Sequence, residues 1–387
     1  MPALDYRTAG ESHGPALTVL VEGMPAGVAI DAGFINAELG RRQGGYGRSA
    51  RQRIEHDEFQ LLAGARGGRT TGGPVVMQIG NRDSRLETAP PIHHPRPGHA
   101  DFAGAMKWLT TDCRETLERA SARETAARVA AGGLARCLLR ELGIDAVGFV
   151  TRIGPAAWAA AADAEPERLR AGRDASEVFC PDPVASREMI EAITAAQRSR
   201  DTLGGVVEVR VYGVPPGLGS CARWQDKLDG RIMAAVGSIQ AIKAVEIGLG
   251  VAAGAAPGTA VHDGMDYSAE RRGTPCVGFV RRTNHAGGLE GGMTNGMPVV
   301  VRAAMKPLST IPGGLDSVDL RTLQPHRGDV ERSDVCAVPA ASVVAENVVA
   351  FEIARAAVEK FGGDTLREVR AAYDYYLAAL RDLPGGG

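Results

Sequence analysis

The chain has 387 residues, 44 % of them hydrophobic and 23 % charged, with 50 Gly, 22 Pro and a formal net charge of −2. That balance supplies apolar material for one large core or two ordinary ones and excludes a disordered, collagen-like or low-complexity chain. A nearly neutral protein also lacks the global positive charge with which nucleic-acid binders displace counterions, so any anion site must be local.

Residues 1–7 carry no basic-then-apolar leader, and no run approaches the roughly 18 apolar residues of a membrane span, which points to a cytoplasmic protein. Gly10-Glu11-Ser12-His13-Gly14 spells G-x-S-x-G, the nucleophile elbow of serine hydrolases. An elbow needs a strand before it and a helix after it, whereas here Pro15 leads into the strand-like run 16–21. The turn is better suited to holding His13 for proton transfer near neutral pH, or simply as a satisfied turn histidine.

A helical pattern over 32–42 runs into residues 41–53, which hold five arginines and no acid. Its glycines let backbone approach a ligand, and a single aromatic gives little stacking surface for single-stranded RNA. A small, highly anionic substrate fits the cluster better than a polymer does. A strand follows at 74–79. The stretch His93-His94-Pro95-Arg96-Pro97-Gly98-His99-Ala100-Asp101 tempts a zinc reading, but no H-E-x-x-H or cysteine partner accompanies it. His99 as an acid or base competes with His99 as a buried structural residue.

A long helix is predicted over 111–142, placing Arg119 and Arg123 on one face. Residues 155–183 read as a surface excursion. Further helices are expected at 184–198, 226–247, 341–361 and 364–381, and strands at 205–212, 275–280 and 298–303. Lys306-Pro307-Leu308-Ser309-Thr310 offers one ammonium and two hydroxyls to a phosphate, and Arg332-Ser333-Asp334 another basic and acidic pair. No Gly-Lys dipeptide exists, which excludes a P-loop. Gly248-Leu249-Gly250 with Ala253 follows a helical pattern rather than a strand, so a dinucleotide fingerprint is missing too. Six scattered cysteines lack a C-x-x-C pair, as suits a reducing compartment.

Strands and helices do not alternate in a βαβ cadence, which favours α+β with antiparallel pairs. The segment 64–76 recurs at 288–300, with eight of thirteen positions coinciding: Gly64, Gly67, Gly68, Thr70, Gly72, Pro74, Val75 and Val76 match Gly288, Gly291, Gly292, Thr294, Gly296, Pro298, Val299 and Val300. Each copy is a glycine-rich turn feeding a strand, so two related halves are expected, with two sheets on a shared helical layer. Residues 1–381 are read as one catalytic domain and 382–387 as a flexible tail.

Taken together, GESHG, RRQGGYGRS, HPRPGHAD, RASARETAARVAAG, GSIQAIKAVEIGLG, TNHAGGLEGG, KPLST and ERSDVCAVPAA resemble the chorismate synthase family in order and spacing, from residue 7 to about 361. The resemblance implies a β-α-β sandwich with an internal pseudo-two-fold repeat, assembled as a homotetramer. It implies conversion of 5-enolpyruvylshikimate 3-phosphate to chorismate and phosphate by 1,4-elimination, with reduced FMN and no net redox change. NADPH would enter only through flavin reduction, and no added reductase domain is evident, so an external flavin reductase is expected.

By motif position the resemblance implies His13 as the acid toward the departing phosphate, His99 as the group that protonates the reduced flavin, and Asp334, helped by Ser12, as handler of the flavin N5 proton. The flavin pocket would draw on Arg119, Ala120 and Ser121, on Gln240 and Ala241, on Gly291, on Lys306, Pro307, Leu308, Ser309 and Thr310, and on Arg332. Arg42 and Arg48 match positions assigned to NADP binding and fit the grip on substrate oxygens better. Leu308 departs from the small or polar residue found in KPTSS-like versions of its segment. A serine hydrolase using Ser12 and an Arg-rich RNA-binding module are the rival readings. Neither implies a metal site.

Overall fold

The computed structural model describes residues 4–48, 56–329 and 334–383 and has a mixed α+β fold of antiparallel sheets and helices. Strands β1 (Asp5–Ala9), β2 (Ala16–Glu22), β3 (Phe59–Ala63) and β4 (Val75–Gly80) form one sheet in the order β1-β2-β4-β3. Alternation decides which face is inside: Leu17, Val19 and Val21 of β2 and Val75, Met77 and Ile79 of β4 are buried. The second sheet takes β5 (Asp145–Ile153), β6 (Gly205–Tyr212), β7 (Ile242–Ile247) and β8 (Val299–Met305) in the order β7-β8-β6-β5, with Ala156–Ala157 added beside β5. Every neighbour in both sheets is antiparallel.

Two helices connect the sheets. Helix α3 (Thr125–Glu141) packs on β2 and β4, α5 (Val338–Phe361) packs on β5 and β6, and α3 and α5 pack on each other. Alanine and valine around the whole circumference of α5 make it a buried helix rather than an amphipathic one. At the α3/α5 crossing a Cβ on Gly132 would stand 2.4 Å from Asn347, so glycine sets how closely the helices approach. The resulting hydrophobic core is contiguous from Leu4 to Leu377. The C-terminal helix α6 (Leu366–Asp382) starts on a reciprocal cap between Thr365 and Glu368.

The repeated glycine segments make the same contacts twice. A Cβ on Gly64 would meet the Pro74 carbonyl oxygen at 2.4 Å, and one on Gly288 would meet the Pro298 carbonyl oxygen at 2.5 Å. Thr70 Oγ1 donates to the Pro25 carbonyl at 2.6 Å and accepts from the Val28 amide. Thr294 Oγ1 does the same with Pro215, at 2.6 Å, and Leu218. Both glycines also have positive φ, +85° and +75°. Gly64→Ala and Gly288→Ala are therefore expected to lose similar stability, at least ~2 kcal/mol each from strain and collision, whereas Gly67→Ala, with open space around its Cβ, pays only the ~1 kcal/mol of its φ. Urea denaturation of the three variants checks this; unequal losses at 64 and 288 would contradict their equivalence.

Several boundaries differ from the sequence reading. The 111–142 helix is two, α2 (Arg114–Ala120) and α3, because Ser121 is extended (ψ 142°) and a 3-10 turn over Ala122–Glu124 intervenes. The 226–247 helix stops as α4 (Leu228–Gly237), and residues 242–247 form β7 instead, after Ala241 takes a left-handed φ of +66°. Of 275–280, only 279–280 are strand, within Phe279–Arg281. The 155–183 excursion carries a helix, Pro166–Asp174, started by proline.

Helix α1 (Ala32–Gln43), capped by Asp31 accepting from the Phe34 amide, brings Glu38, Arg41 and Arg42 into the interior. Glu38 accepts from Arg41 at 2.5 Å, Arg136 at 2.7 Å and Asn347 at 2.9 Å. The fully buried Glu346 of α5 meets Arg41 at 2.6 Å, Arg136 at 3.0 Å and Arg173 at 3.3 Å. Two carboxylates and three guanidiniums thus form a desolvated network.

Candidate active site

A cavity of about 1010 Å³ lies where the α2/α3 break, the β1–β2 turn, the 95–101 loop and the segments before β7 and after β8 converge. Its lining includes Ser12, His13, Arg42, Arg48, His99, Ala120, Ser121, Gln240, Ala241, Lys306, Pro307, Leu308, Ser309, Thr310 and Asp334. Among the described residues seven cations line it, Arg42, Arg48, Arg85, Arg96, Arg123, Lys243 and Lys306, against two acids, Asp83 and Asp334. Such an excess in a half-enclosed cleft focuses positive potential on a multiply charged anion.

His13 sits in the tight turn between β1 and β2. Its ring Nδ1 lies 2.9 Å from both carboxylate oxygens of Glu118, its backbone amide donates to Glu118 Oε2 at 2.8 Å, and its carbonyl accepts from the Arg85 and Leu86 amides. Nε2 is left toward Asp83, 3.6 Å away on the cavity wall. Burial would raise the Glu118 carboxyl, but the bonds from His13 and the nearby Arg114 charge more than offset it and hold the group below its ordinary range. Ser12, next in the turn, accepts from Ser121 Oγ at 3.2 Å. With β2 rather than a helix after this turn, the strand-turn-helix setting of a hydrolase elbow is absent.

His99 is held in the same manner. Its Nδ1 hydrogen-bonds Asp101, which is fully buried and also takes the Arg96 amide at 3.0 Å and Arg96 Nε at 2.8 Å. Burial pushes Asp101 up, yet His99 and Arg96 outweigh it and keep the carboxyl far below the usual range. Arg96 Nη1 reaches Thr310 Oγ1 at 3.0 Å, and Lys306 Nζ bonds the Gly98 carbonyl, so the histidine loop and the 306–310 segment are tied together. His93 and His94 take other directions: His93 bonds the Thr111 carbonyl, and His94 stacks on His326 between Asp319 and Asp329. The three histidines therefore do not converge on a metal.

The arginine cluster divides. Arg41 belongs to the buried network, while Arg42 pairs with Asp57 at 2.7 Å and Arg48 with Asp334 at 2.8 Å, both beside the cavity. Asp57 also binds Arg123 at 2.6 Å; burial raises it, but the two guanidiniums prevail and lower it. Arg51 and Arg53 lie outside the described residues, as does Arg332. Gln240 Nε2 donates to Glu124 at 3.1 Å, whereas Gln240 Oε1, Arg42 Nε and Arg48 Nε are buried without a hydrogen-bond partner among the described residues. Unpaired donors and acceptors in a cavity wall are what a polar ligand satisfies.

Two expected site residues do not line this cavity. Arg119 points the other way and binds the carbonyls of Thr8 and Gly10 at the end of β1. Because of the break at Ser121, Arg119 and Arg123 do not share a helical face. Gly291 lies in the hairpin turn between Leu289–Glu290 and Met293–Thr294, whose next glycine packs on Lys227 at the start of α4, the end of that helix opposite to Gln240. Sequence reasoning missed Glu118, Asp83, Arg85 and Lys243, and it quoted Arg96 and Arg123 in candidate stretches without giving either a place at this cavity; of the two carboxylates that brace the histidines, only the acid two places after His99 left a readable signal.

A mixed α+β fold carrying a deep, strongly cationic cleft with two carboxylate-braced histidines defines an enzyme for a small polyanion. The chorismate synthase family model matches residues 4–358. The chorismate synthases of Desulforamulus reducens and Desulforudis audaxviator are 52 % and 51 % identical to this chain, over 98 % and 99 % of its length and the whole of theirs. A crystal structure of chorismate synthase superposes with a TM-score of 0.81 at 39 % identity, covering 99 % of this chain and all of the other. The chain belongs to the chorismate synthase family, and its activity is the family's, a lyase step in the shikimate pathway of aromatic amino-acid biosynthesis. No helix among the described residues is long and apolar enough to cross a membrane.

Proposed function

We propose that this cavity eliminates phosphate from 5-enolpyruvylshikimate 3-phosphate to give chorismate, using reduced FMN, in the cytoplasm. The observation that carries the reading is the meeting of His13, His99 and Asp334 in one strongly cationic cleft. The substrate bears two carboxylates and a phosphate, and charge-assisted bonds to guanidiniums contribute about 1.5–3 kcal/mol apiece. Arg42 and Arg48 are the groups assigned to its oxygens.

The cleft fits a flavin mononucleotide beside the substrate: its volume is at the upper end for small-molecule sites, and Gln240 Oε1 and Arg48 Nε await partners. Ala120, Ser121, Gln240, Ala241 and the 306–310 segment would hold it, with Ser309, Thr310 and Lys306 supplying donors. When bound there, reduced FMN would supply the transient electron density with which phosphate is expelled and the non-acidic hydrogen lost. His13 delivers a proton from Nε2 to the departing phosphate. His99, braced by Asp101, would hold a proton for the bound flavin, and Asp334, with Ser12, would accept the proton that the reaction releases. Arg48, paired with Asp334, screens that carboxylate until anionic substrate competes for the guanidinium.

The matching contacts of the two glycine segments support an ancestral duplication, with β1-β2-β4-β3 equivalent to β5-β6-β8-β7 around α3 and α5, in one catalytic domain. A homotetramer fed by a separate, NADPH-dependent flavin reductase completes the reading, and an assembly is the setting in which Gly291, outside its own chain's cleft, meets a flavin.

The test is anaerobic incubation of the protein with dithionite-reduced FMN and the enolpyruvyl phosphate. Phosphate release matched by diene absorbance is expected; no product with reduced flavin would overturn the assignment.

A further inference from the structure

Glu118 has no part in the reading so far beyond its contact with His13, yet its placement is unusually constrained. It is 1 % exposed, and it meets two donors of the same residue: the His13 backbone amide at 2.8 Å and the His13 ring Nδ1 at 2.9 Å. Its own backbone carbonyl takes the Ser12 amide at 3.1 Å, and Arg114 lies 3.4 Å from Oε1. The turn that carries both Ser12 and His13 is thus pinned to one residue of α2. The backbone amide can only donate, so it claims an oxygen permanently. The second oxygen then faces Nδ1, and a carboxylate can only accept there.

We propose that Glu118 is a positioning residue for the elimination, fixing neutral His13 as the Nδ1–H tautomer and aiming Nε2 at the cleft. This rests on the reading of His13 as the proton donor to phosphate. A histidine that donates from Nε2 must regain its proton there, and Glu118 keeps Nδ1–H in place through each cycle while offsetting the charge of the imidazolium. The arrangement also explains why a carboxylate rather than an amide occupies the position. In Glu118→Gln the backbone amide of His13 keeps the single remaining oxygen, the side-chain NH2 turns to the ring, and Nδ1 must become an acceptor. The proton moves to Nε2, the wrong nitrogen for recharging the acid, as in the handed-over tautomer of a serine-protease triad whose aspartate is replaced by asparagine.

The experiment reads the tautomer and the kinetics together. In wild-type protein labelled with 15N-histidine and held in mildly alkaline buffer, the ring nitrogen shifts of His13 are expected to report Nδ1–H; an Nε2–H pattern overturns the proposal without any variant. Glu118→Gln is expected to show Nε2–H and a kcat lowered by roughly 10²–10⁴-fold with KM within a few-fold, judged against the effect of the equivalent triad substitution. Glu118→Asp, which retains two acceptors, should recover part of kcat. His13→Gln is run beside them. If His13→Gln turns over normally, the donor reading itself has failed; if His13→Gln is inactive but Glu118→Gln keeps wild-type kcat, the donor reading stands and the positioning role is wrong. A KM rise alone with unchanged kcat and tautomer in Glu118→Gln also overturns it, because that is the mark of a merely structural contact.

Discussion

His13→Ala is expected to lower kcat by about 10²–10⁴-fold in the anaerobic assay, the usual worth of a positioned general acid, and His99→Ala by a comparable factor. The two should differ in stability. Removing the His13 ring deprives the buried Glu118 of its closest side-chain donor, leaving the backbone amide and the more distant Arg114, at a cost of about 1–3 kcal/mol. Asp101 loses less when His99 goes, because Arg96 still gives it its amide, Nε and Nη2. Melting curves recorded with the kinetics therefore separate lost chemistry from lost fold: His99→Ala near the wild-type melting temperature, His13→Ala a few degrees below it. Near-normal turnover in both variants would strip the histidines of their assigned roles.

The sequence made those histidines visible because rigid, glycine- and proline-rich turns around a titratable ring are rare in composition and easily read. It concealed what braces them. Glu118 sits in an ordinary helical pattern of alternating charge, where the solvated-face reading is the natural one, and only the break at Ser121 turns α2 so that it meets the β1–β2 turn. The same break explains why Arg119 and Arg123, four residues apart, go to opposite sides. Strand β5 went unread because it is buried on both faces at nearly every position and so has no period-two signal. The segment 242–247 looked like a continuation of α4, since nothing local marks Ala241 as left-handed; a non-glycine residue takes that conformation at a cost of about 1–2 kcal/mol, offset by contacts such as the Lys306 amide on its carbonyl, which extends the β7–β8 pairing. The glycine repeat was legible because both copies meet the same steric requirement, a carbonyl where a side chain would be.

The arginine run shows how composition misleads about grouping. Five cations in thirteen residues look like one anion site, but α1 sends Arg41 and Arg42 in different directions: Arg41 to Glu346 in the core, Arg42 to Asp57 at the cleft. Core and cleft are therefore mechanically joined through adjacent residues in the last turn of one helix.

That joint sets the second large effect. Glu346→Ala is expected to destabilise the protein by about 3–5 kcal/mol, because Arg41, Arg136 and Arg173 lose a common counter-charge while remaining desolvated. Among the described residues Glu38 compensates Arg41 and Arg136 but not Arg173, whose remaining counter-charge is the half-exposed Asp174. Glu38 itself carries a pH signature. Burial would raise its carboxyl from the ordinary 4.5, but the Arg136 and Arg41 charges and their bonds override this and bring it down to about 2. A carboxyl lowered on folding stabilises the native state above its unfolded pKa, and that stability drains away as pH falls from 4.5 toward 2. Glu38→Gln should start less stable at pH 7 and lose less over that acid window, with Asp57, Asp101 and Glu118 still supplying the remainder. Urea midpoints at pH 7 and about 3 measure both variants. A midpoint for Glu346→Ala equal to wild type at pH 7 would mean that the three guanidiniums find other partners or water. A lowered midpoint with raised substrate KM would show that α1 transmits the strain from Arg41 to Arg42.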